Sequence, residues 1–221
     1  LEYMSIFKNN LQGILFDMDG TVLDSEGLFD KAQIQYLEEN NIFISKSDLR
    51  DFKGLSYKDF YPLFIKKFKL SETTDNIRYK IRTYLHKIME KELRYICGFE
   101  AFFKSYILNK GFKVGLVTNT TRATYNKIQS ILNIDDYFQF VITATESKRP
   151  KPSPVPYLEA MESLCLDPKE TLIIEDSKTG LISAVNSGAH VVGLKTSLSS
   201  GQMQCISKKI YAINHFRELA L

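Results

Sequence analysis

The sequence predicts an α/β fold: a doubly wound parallel sheet with a small all-helical domain inserted after its first strand. Three observations predict it. From Lys113 onward, short apolar runs alternate with helix-like segments, the pattern of a parallel sheet covered on both faces. No convincing strand interrupts residues 27–94, a stretch long enough for a small domain of its own. Three separate apolar runs also end in polar side chains: Asp17 and Asp19, Thr118 and Asn119, Glu175 and Asp176. In doubly wound sheets ligands bind at the carboxyl ends of the strands, near a switch in strand order. Chance rarely puts reactive groups at that end three times.

In chain order, Gly13 to Asp17 reads as a short buried strand. Glu26 to Glu39 follows as a helix, with Leu28, Phe29, Ala32, Ile34, Tyr36 and Leu37 at mostly helical spacing. Ser47–Phe52, Tyr57–Phe68 and Asp75–Leu93 also read as helical. Asp75 is the expected N-cap of the last, ahead of an Ile77, Ile81, Tyr84, Leu85, Ile88 stripe. The pattern then changes. Phe102–Leu108 is a helix closing at Gly111, Lys113–Thr118 a buried strand, Ala123–Leu132 a helix and Phe138–Thr143 a strand. Ser153 begins a helix with Pro154 in its first turn. Thr171–Glu175 is a strand, Thr179–Ser187 a helix stopped by Gly188, and His190–Leu194 and Ile210–Ile213 are short strands. The expected division is residues 1–26 with 95–221 as a Rossmann-like core, and residues 27–94 as the inserted helical domain.

Composition narrows the function classes. The chain has 221 residues and is 44% hydrophobic, enough for one core plus a smaller companion. A net charge of +3 is too small to imply nucleic acid as a partner. That excess lies wholly within residues 26–95, where 14 Lys and Arg face 11 Asp and Glu, which points weakly to an anionic substrate meeting that segment. No apolar run approaches the roughly 20 residues of a membrane span. Leu1–Asn10 lacks the apolar core of a secretory signal. Cys97, Cys165 and Cys205 are odd in number and far apart, which fits neither a disulfide framework nor a zinc site. A cytoplasmic location with reduced thiols is expected.

The most informative stretch is Gly13 to Ser25, where the first strand exits into Asp17-Met18-Asp19-Gly20-Thr21. Alternation puts Asp17 and Asp19 on the same side of the strand exit. Like charges that close repel unless something positive neutralises them. A hard divalent cation, magnesium above all, suits carboxylate and carbonyl oxygens. An ordinary Asp-Gly turn is the bland alternative, and the two further polar strand ends weigh against it.

At these residues the chain resembles the haloacid dehalogenase-like hydrolase superfamily, in the branch with a helical cap inserted after the first strand. The matching segments are F-D-M-D-G-T-V-L-D-S, L-V-T-N-T, K-P-S-P-V-P-Y and I-I-E-D-S-K-T-G-L-I-S-A-V-N-S-G-A, in that order and spanning nearly the whole chain. The resemblance implies that Asp17 is the nucleophile and Asp19 the general acid and base. It implies that Thr118 binds the transferring phosphoryl group, aided by the Asn119 backbone N–H, and that Lys151 neutralises charge between Asp17 and the phosphate. Lys148 is the weaker candidate because Pro152 follows Lys151, as in the family motif. Mg2+ is the implied cofactor, held by Asp17, the Asp19 carbonyl and Asp176, with Glu175 either a ligand or a partner behind the ligands. Members of the superfamily that attack carbon lack the second aspartate, so Asp19 implies phosphoryl transfer.

In the helical insert, Lys53 and Gly54 occupy the place where related capped enzymes put a substrate-contacting loop. Phe29, Tyr57 and Tyr61 could line a pocket or simply be core. His86, His190 and His215 fall in no motif. The expected activity is a magnesium-dependent phosphatase for a small phosphate ester, such as a sugar phosphate, acting as a monomer. A β-phosphoglucomutase-like mutase is the alternative, opposed by Phe29 and Tyr57 where that family has a cap histidine and an arginine. A phosphonate hydrolase would need a Schiff-base lysine that no motif singles out. A catalytically silent binding protein is opposed by the presence of all five motif residues.

Overall fold

A computed structural model describes residues 11–25, 27–52 and 57–219. The chain forms two compact units, Leu1–Asp24 with Arg94–Leu221, and Ser25–Leu93.

The first unit is built on a six-stranded sheet. Its strands are β1 (Gly13–Phe16), β2 (Lys113–Val117), β3 (Phe140–Ile142), β4 (Thr171–Glu175), β5 (His190–Leu194) and β6 (Tyr211–Ile213), in the order β3-β2-β1-β4-β5-β6. Every pairing is parallel. Both faces are covered, which is why β1 and β4 read as continuous apolar runs rather than alternating ones. The chain steps outward from β1 to β2 and β3, then returns across β1 to β4. The order therefore reverses at β1, where a doubly wound sheet opens its binding crevice. Register does the rest. Phe16 pairs with Leu116 on one side and Ile174 on the other. The next residue of β1, Asp17, thus emerges between the ends of β2 and β4.

The second unit contains α1 (Leu28–Glu39), a 3-10 helix at Lys46–Phe52, α2 (Tyr57–Phe68) and α3 (Thr74–Glu92), with no strand among the described residues. Its core joins Tyr36 and Leu37 of α1, Phe60 and Phe64 of α2, and Ile77 and Ile81 of α3. Phe60 and Phe64 stack at 5.2 Å. The Tyr36 hydroxyl, at the edge of this apolar cluster, donates to Glu72 at 2.9 Å. The N-cap of α3 is Thr73, whose hydroxyl accepts from Asn76 N at 3.3 Å, not the expected Asp75, which lies within the first turn. Both residue types cap well; burial of Ile77 and Ile81 sets the helix phase.

The remaining helices of the first unit are α4 (Phe99–Phe102), continuing as a π-helical turn over Phe103–Ile107, α5 (Arg122–Leu132), α6 (Val155–Ser163), α7 (Lys178–Asn186) and α8 (Ser200–Ile206). One face of the sheet is largely aliphatic. Leu15, Ile173 and Val191 form a row across three strands, packed under Ala160 and Met161 of α6 and Leu181 and Ala184 of α7. The other face is aromatic: the Phe16 ring meets Phe99 edge-on at 5.7 Å and Phe138 at 6.0 Å, and Phe102 stacks on Phe216 at 5.2 Å. Each such buried side chain contributes on the order of 1.5–3 kcal/mol. Helix α8 is absent from the sequence reading above. Its seven residues carry little periodicity, but Ser199 and Gln202 form a capping box that marks its start.

The three cysteines are free and exposed. Among the described residues, no helix is long and apolar enough to cross a membrane.

Candidate active site

Three strand ends meet at one point. Asp17 leaves β1, Val117 and Thr118 end β2, and Glu175 and Asp176 end β4. Carboxylate oxygens of Asp17, Glu175 and Asp176 all lie within 4.8 Å of one another, and all three residues are buried. Lys151, from the loop before α6, inserts its ammonium among them. Its Nζ donates to Asp17 Oδ1 at 2.6 Å, to Glu175 Oε1 at 2.7 Å and to the Val117 carbonyl at 2.8 Å. All three ammonium protons are thereby used. Burial works against the Lys151 charge, but the two carboxylates beside it outweigh burial and hold it protonated, above its ordinary range.

The charge balance of this cluster is unfavourable as it stands. One ammonium faces three buried carboxylates. Burial pushes the Asp17 carboxyl well above the usual carboxylate range. Glu175 pushes further the same way, Lys151 opposes, and Asp176 and Asp19 add smaller upward effects. An all-oxygen donor set with surplus negative charge suits a hard divalent cation such as Mg2+. The residues present therefore fit the metal that the resemblance implies.

The three carboxylates are not equivalent. Both Glu175 oxygens are committed: Oε1 accepts from Lys151 Nζ and from the Tyr157 hydroxyl at 3.1 Å, and Oε2 accepts from Asp176 N at 2.9 Å, Ser177 N at 3.0 Å and Ser177 Oγ at 3.2 Å. That carboxylate also sits at the N-terminus of α7, where negative charge is favoured. It fits there because residue 180 is glycine: a Cβ at Gly180 would lie 1.6 Å from Glu175 Oε1. Asp176 instead has hydroxyl neighbours. Its Oδ1 accepts from Thr21 Oγ1 at 3.3 Å, and its Oδ2 lies 3.1 Å from Thr196 Oγ1 and within a short hydrogen bond of Ser197 Oγ. Gly20, at a φ of +82°, lets the loop after β1 pass this carboxylate where any Cβ would collide with Oδ2 at 2.3 Å.

Thr118 and Asn119 lie beside this cluster. Thr118 is buried, and its Oγ1 accepts from Thr120 N at 3.0 Å. The Asn119 side chain clamps the Lys151 peptide unit, with Oδ1 accepting from Lys151 N and Nδ2 donating to Lys151 O, both at 3.0 Å. The sequence reading assigned only its backbone N–H; the structure adds a side chain that ties the lysine loop to the end of β2. Asp19 is half-buried, and its Oδ2 accepts from Thr120 Oγ1 at 2.8 Å. Lys148 is exposed on the same loop as Lys151.

Some expectations fall elsewhere. Lys53 and Gly54 lie outside the described residues, as does the Tyr57 side chain. Phe29 is 38% exposed and packs on Phe60 at 5.5 Å, while Tyr61 is buried in the core of the second unit. Tyr157, Thr120, Thr21, Ser177 and Thr196 were not singled out from sequence. Four of them carry a signal, since Thr21, Thr120, Tyr157 and Ser177 lie within the quoted motif segments; Thr196 lies outside them.

Residues 14–194 match the family model described as haloacid dehalogenase-like hydrolase. A phosphorylated carbohydrates phosphatase from Thermotoga maritima is 23% identical over 193 residues, covering 87% of this chain and 89% of that protein. A phosphoglycolate phosphatase from Aquifex aeolicus is 27% identical over 197 residues, covering 79% and 80%. Pyrophosphatase PpaX from Anoxybacillus flavithermus is 26% identical over 190 residues, covering 84% of each. A crystal structure from Thermotoga maritima, provisionally designated a beta-phosphoglucomutase, superposes with a TM-score of 0.83 at 22% identity over 95% of this chain and 96% of that one. At that identity the structural likeness speaks for the fold alone.

Proposed function

The chain belongs to the haloacid dehalogenase-like hydrolase family, and on that premise we propose that it is a magnesium-dependent phosphatase acting on a small phosphorylated metabolite through an aspartyl-phosphate on Asp17. The observation that carries this reading is the Lys151 ammonium between Asp17 and Glu175, with Asp176 completing a buried acidic cluster. The named relatives are phosphatases of phosphorylated carbohydrates, phosphoglycolate and pyrophosphate, which supports a small anionic substrate.

In this reading Asp17 attacks phosphorus, a P–O bond to the carboxylate forms, and the P–O bond to the leaving group breaks. Lys151 engages Asp17 Oδ1 and so holds the carboxylate at the strand end. Asp19 delivers its proton to the departing oxygen, then takes a proton from the water that attacks the aspartyl-phosphate and releases inorganic phosphate. Thr118 Oγ and the Asn119 N–H hold phosphoryl oxygens. Lys151 offsets the negative charge that gathers between nucleophile and phosphoryl group. Asp17, the Asp19 carbonyl and Asp176 would hold Mg2+; Glu175, with every oxygen hydrogen-bonded, positions Lys151 and the Asp176 backbone instead. When bound, Mg2+ supplies positive charge to these carboxylates and to the phosphoryl oxygens. Lys53 would meet the substrate's polar end, and Gly54 would let the backbone approach it.

A panel of phosphate esters assayed with Asp17→Asn tests the reading. Turnover should fall by at least about a thousandfold, with the fold intact by circular dichroism. Retained hydrolysis would overturn the nucleophilic role. EDTA should silence the wild-type enzyme and added Mg2+ restore it. Isomerisation of β-glucose 1-phosphate without phosphate release would identify a mutase instead.

A further inference from the structure

Thr120 follows the phosphoryl-binding segment at the end of β2, and two of its groups point in different directions. Its backbone N–H donates to Thr118 Oγ1 at 3.0 Å. Its side-chain hydroxyl donates to Asp19 Oδ2 at 2.8 Å. Its carbonyl is fixed too, accepting from Ala144 N at 3.1 Å. The residue is therefore held in place by the loop after β3 while it links the two groups that handle the phosphoryl oxygen and the proton.

Each link has a consequence in hydrogen-bond chemistry. A threonine hydroxyl has one proton to give. Because Thr118 Oγ1 is already an acceptor from Thr120 N, that proton is directed away from the Thr120 backbone. The Thr120 hydroxyl holds one end of the Asp19 carboxyl, at Oδ2. When Asp19 gives its proton to the leaving oxygen it becomes a carboxylate, and the Thr120 hydroxyl remains to stabilise that charge.

We propose that Thr120 is the positioning residue for proton transfer, holding the Asp19 carboxyl in place through its hydroxyl and orienting Thr118 through its N–H. This rests on the acid–base reading of Asp19 given above. The step itself balances without another reactant: the Asp17–phosphorus bond forms, the phosphorus–leaving-group bond breaks, and the Asp19 proton ends on the leaving oxygen.

Leaving-group dependence provides the test. An alkyl phosphate needs its leaving oxygen protonated, whereas p-nitrophenyl phosphate, with an acidic leaving group, barely does. The quantity to measure is kcat/KM, which reports the steps up to release of the first product. Thr120→Val keeps the size of the side chain and the backbone N–H but removes the hydroxyl. It should lower kcat/KM for the alkyl phosphate by about ten- to a hundredfold, part of the 10²–10⁴-fold that a general acid contributes. The value for p-nitrophenyl phosphate should stay within about threefold, and Thr120→Ser should restore the alkyl phosphate to within about threefold. Equal losses on both substrates, or no loss on either, would overturn the inference. Asp19→Asn separates the two levels. If that variant is selective against the alkyl phosphate and Thr120→Val is not, Thr120 has no such role while the mechanism stands. If Asp19→Asn damages both substrates equally, the acid–base reading falls and the role of Thr120 falls with it.

Discussion

Replacing Gly180 with alanine should disable a site that the residue never touches through a side chain of its own. Gly180 is in the first turn of α7, and its N–H donates to the Ser177 cap at 3.0 Å. On helix propensity alone, the substitution should stabilise by about 1 kcal/mol. The tertiary structure reverses the sign. The new Cβ would stand 1.6 Å from Glu175 Oε1, 1.9 Å from Cδ and 2.2 Å from Oε2. The carboxylate is the mobile end of its side chain, but Glu175 is fully buried, and moving it breaks the bonds from Lys151, Tyr157, Asp176 N and Ser177. Two backbone N–H groups, the buried one of Asp176 and the part-buried one of Ser177, then lack acceptors, at about 1–3 kcal/mol each, and a charged hydrogen bond to Lys151 worth about 1.5–3 kcal/mol is strained or lost. With the helix gain subtracted, the net loss is about 2.5–8 kcal/mol. For a chain of this size that is roughly 5–32 °C in Tm. Activity should also fall by at least tenfold, because Lys151 loses the partner that aims it at Asp17. Gly201→Ala in α8 is the internal control, since nothing lies within 4 Å of its added Cβ; it should be neutral or slightly stabilising. Thermal melts and steady-state rates on both variants give the answer. A Gly180→Ala protein with wild-type Tm and rate would refute the claim that the Glu175 carboxylate is held where the structure puts it.

Tyr157→Phe keeps the ring 4.8 Å from Lys151 Nζ but removes the donor to Glu175; we expect a stability loss of about 1–3 kcal/mol and a several-fold drop in kcat, and no change in either would count against a positioning role. Arg122, through two hydrogen bonds, holds Glu146 at about 2 rather than 4.5. Because the folded value is depressed, the stability from that pair is fully present above pH 4.5 and is lost as pH falls toward 2. Glu146→Gln should therefore be less stable than wild type at pH 7, by under about 1 kcal/mol for so exposed a pair, with a gap that narrows on acidification; a gap that widens in urea melts at pH 3 would contradict the assignment. Thr73→Ala should cost about 1 kcal/mol through loss of the α3 cap, while Asp75→Ala should cost less, and the reverse ranking in denaturant melts would restore Asp75 as the cap.

The sequence alone was enough to mark where along the chain the candidate site residues lie. Strand periodicity placed Asp17 and Asp19 on one side of a strand exit, and the apolar runs before Thr118 and Glu175 marked two more such exits. Four motifs in order identified the family resemblance. These features are local, because a buried parallel strand must be apolar along its length and must end where polar groups begin. What failed locally was short or ambiguous. Helix α8 has too few residues for a period, and Thr73 and Asp75 are both competent caps until burial of Ile77 decides between them.

The division of labour within the site was decided only by tertiary structure. The family resemblance names Asp176 as a metal ligand and leaves Glu175 either a ligand or a partner behind the ligands; the folded chain saturates Glu175 with donors from Lys151, Tyr157 and the start of α7 and surrounds Asp176 with hydroxyls. Thr120 and Asp19 are 101 residues apart and become neighbours because β1 pairs in parallel register with β2. Gly180 matters because α7 packs its first turn against a carboxylate. Side-chain type and local spacing can announce that a charged site exists. Which oxygen accepts which proton depends on strand register and helix placement, and these are settled only when distant segments pack together.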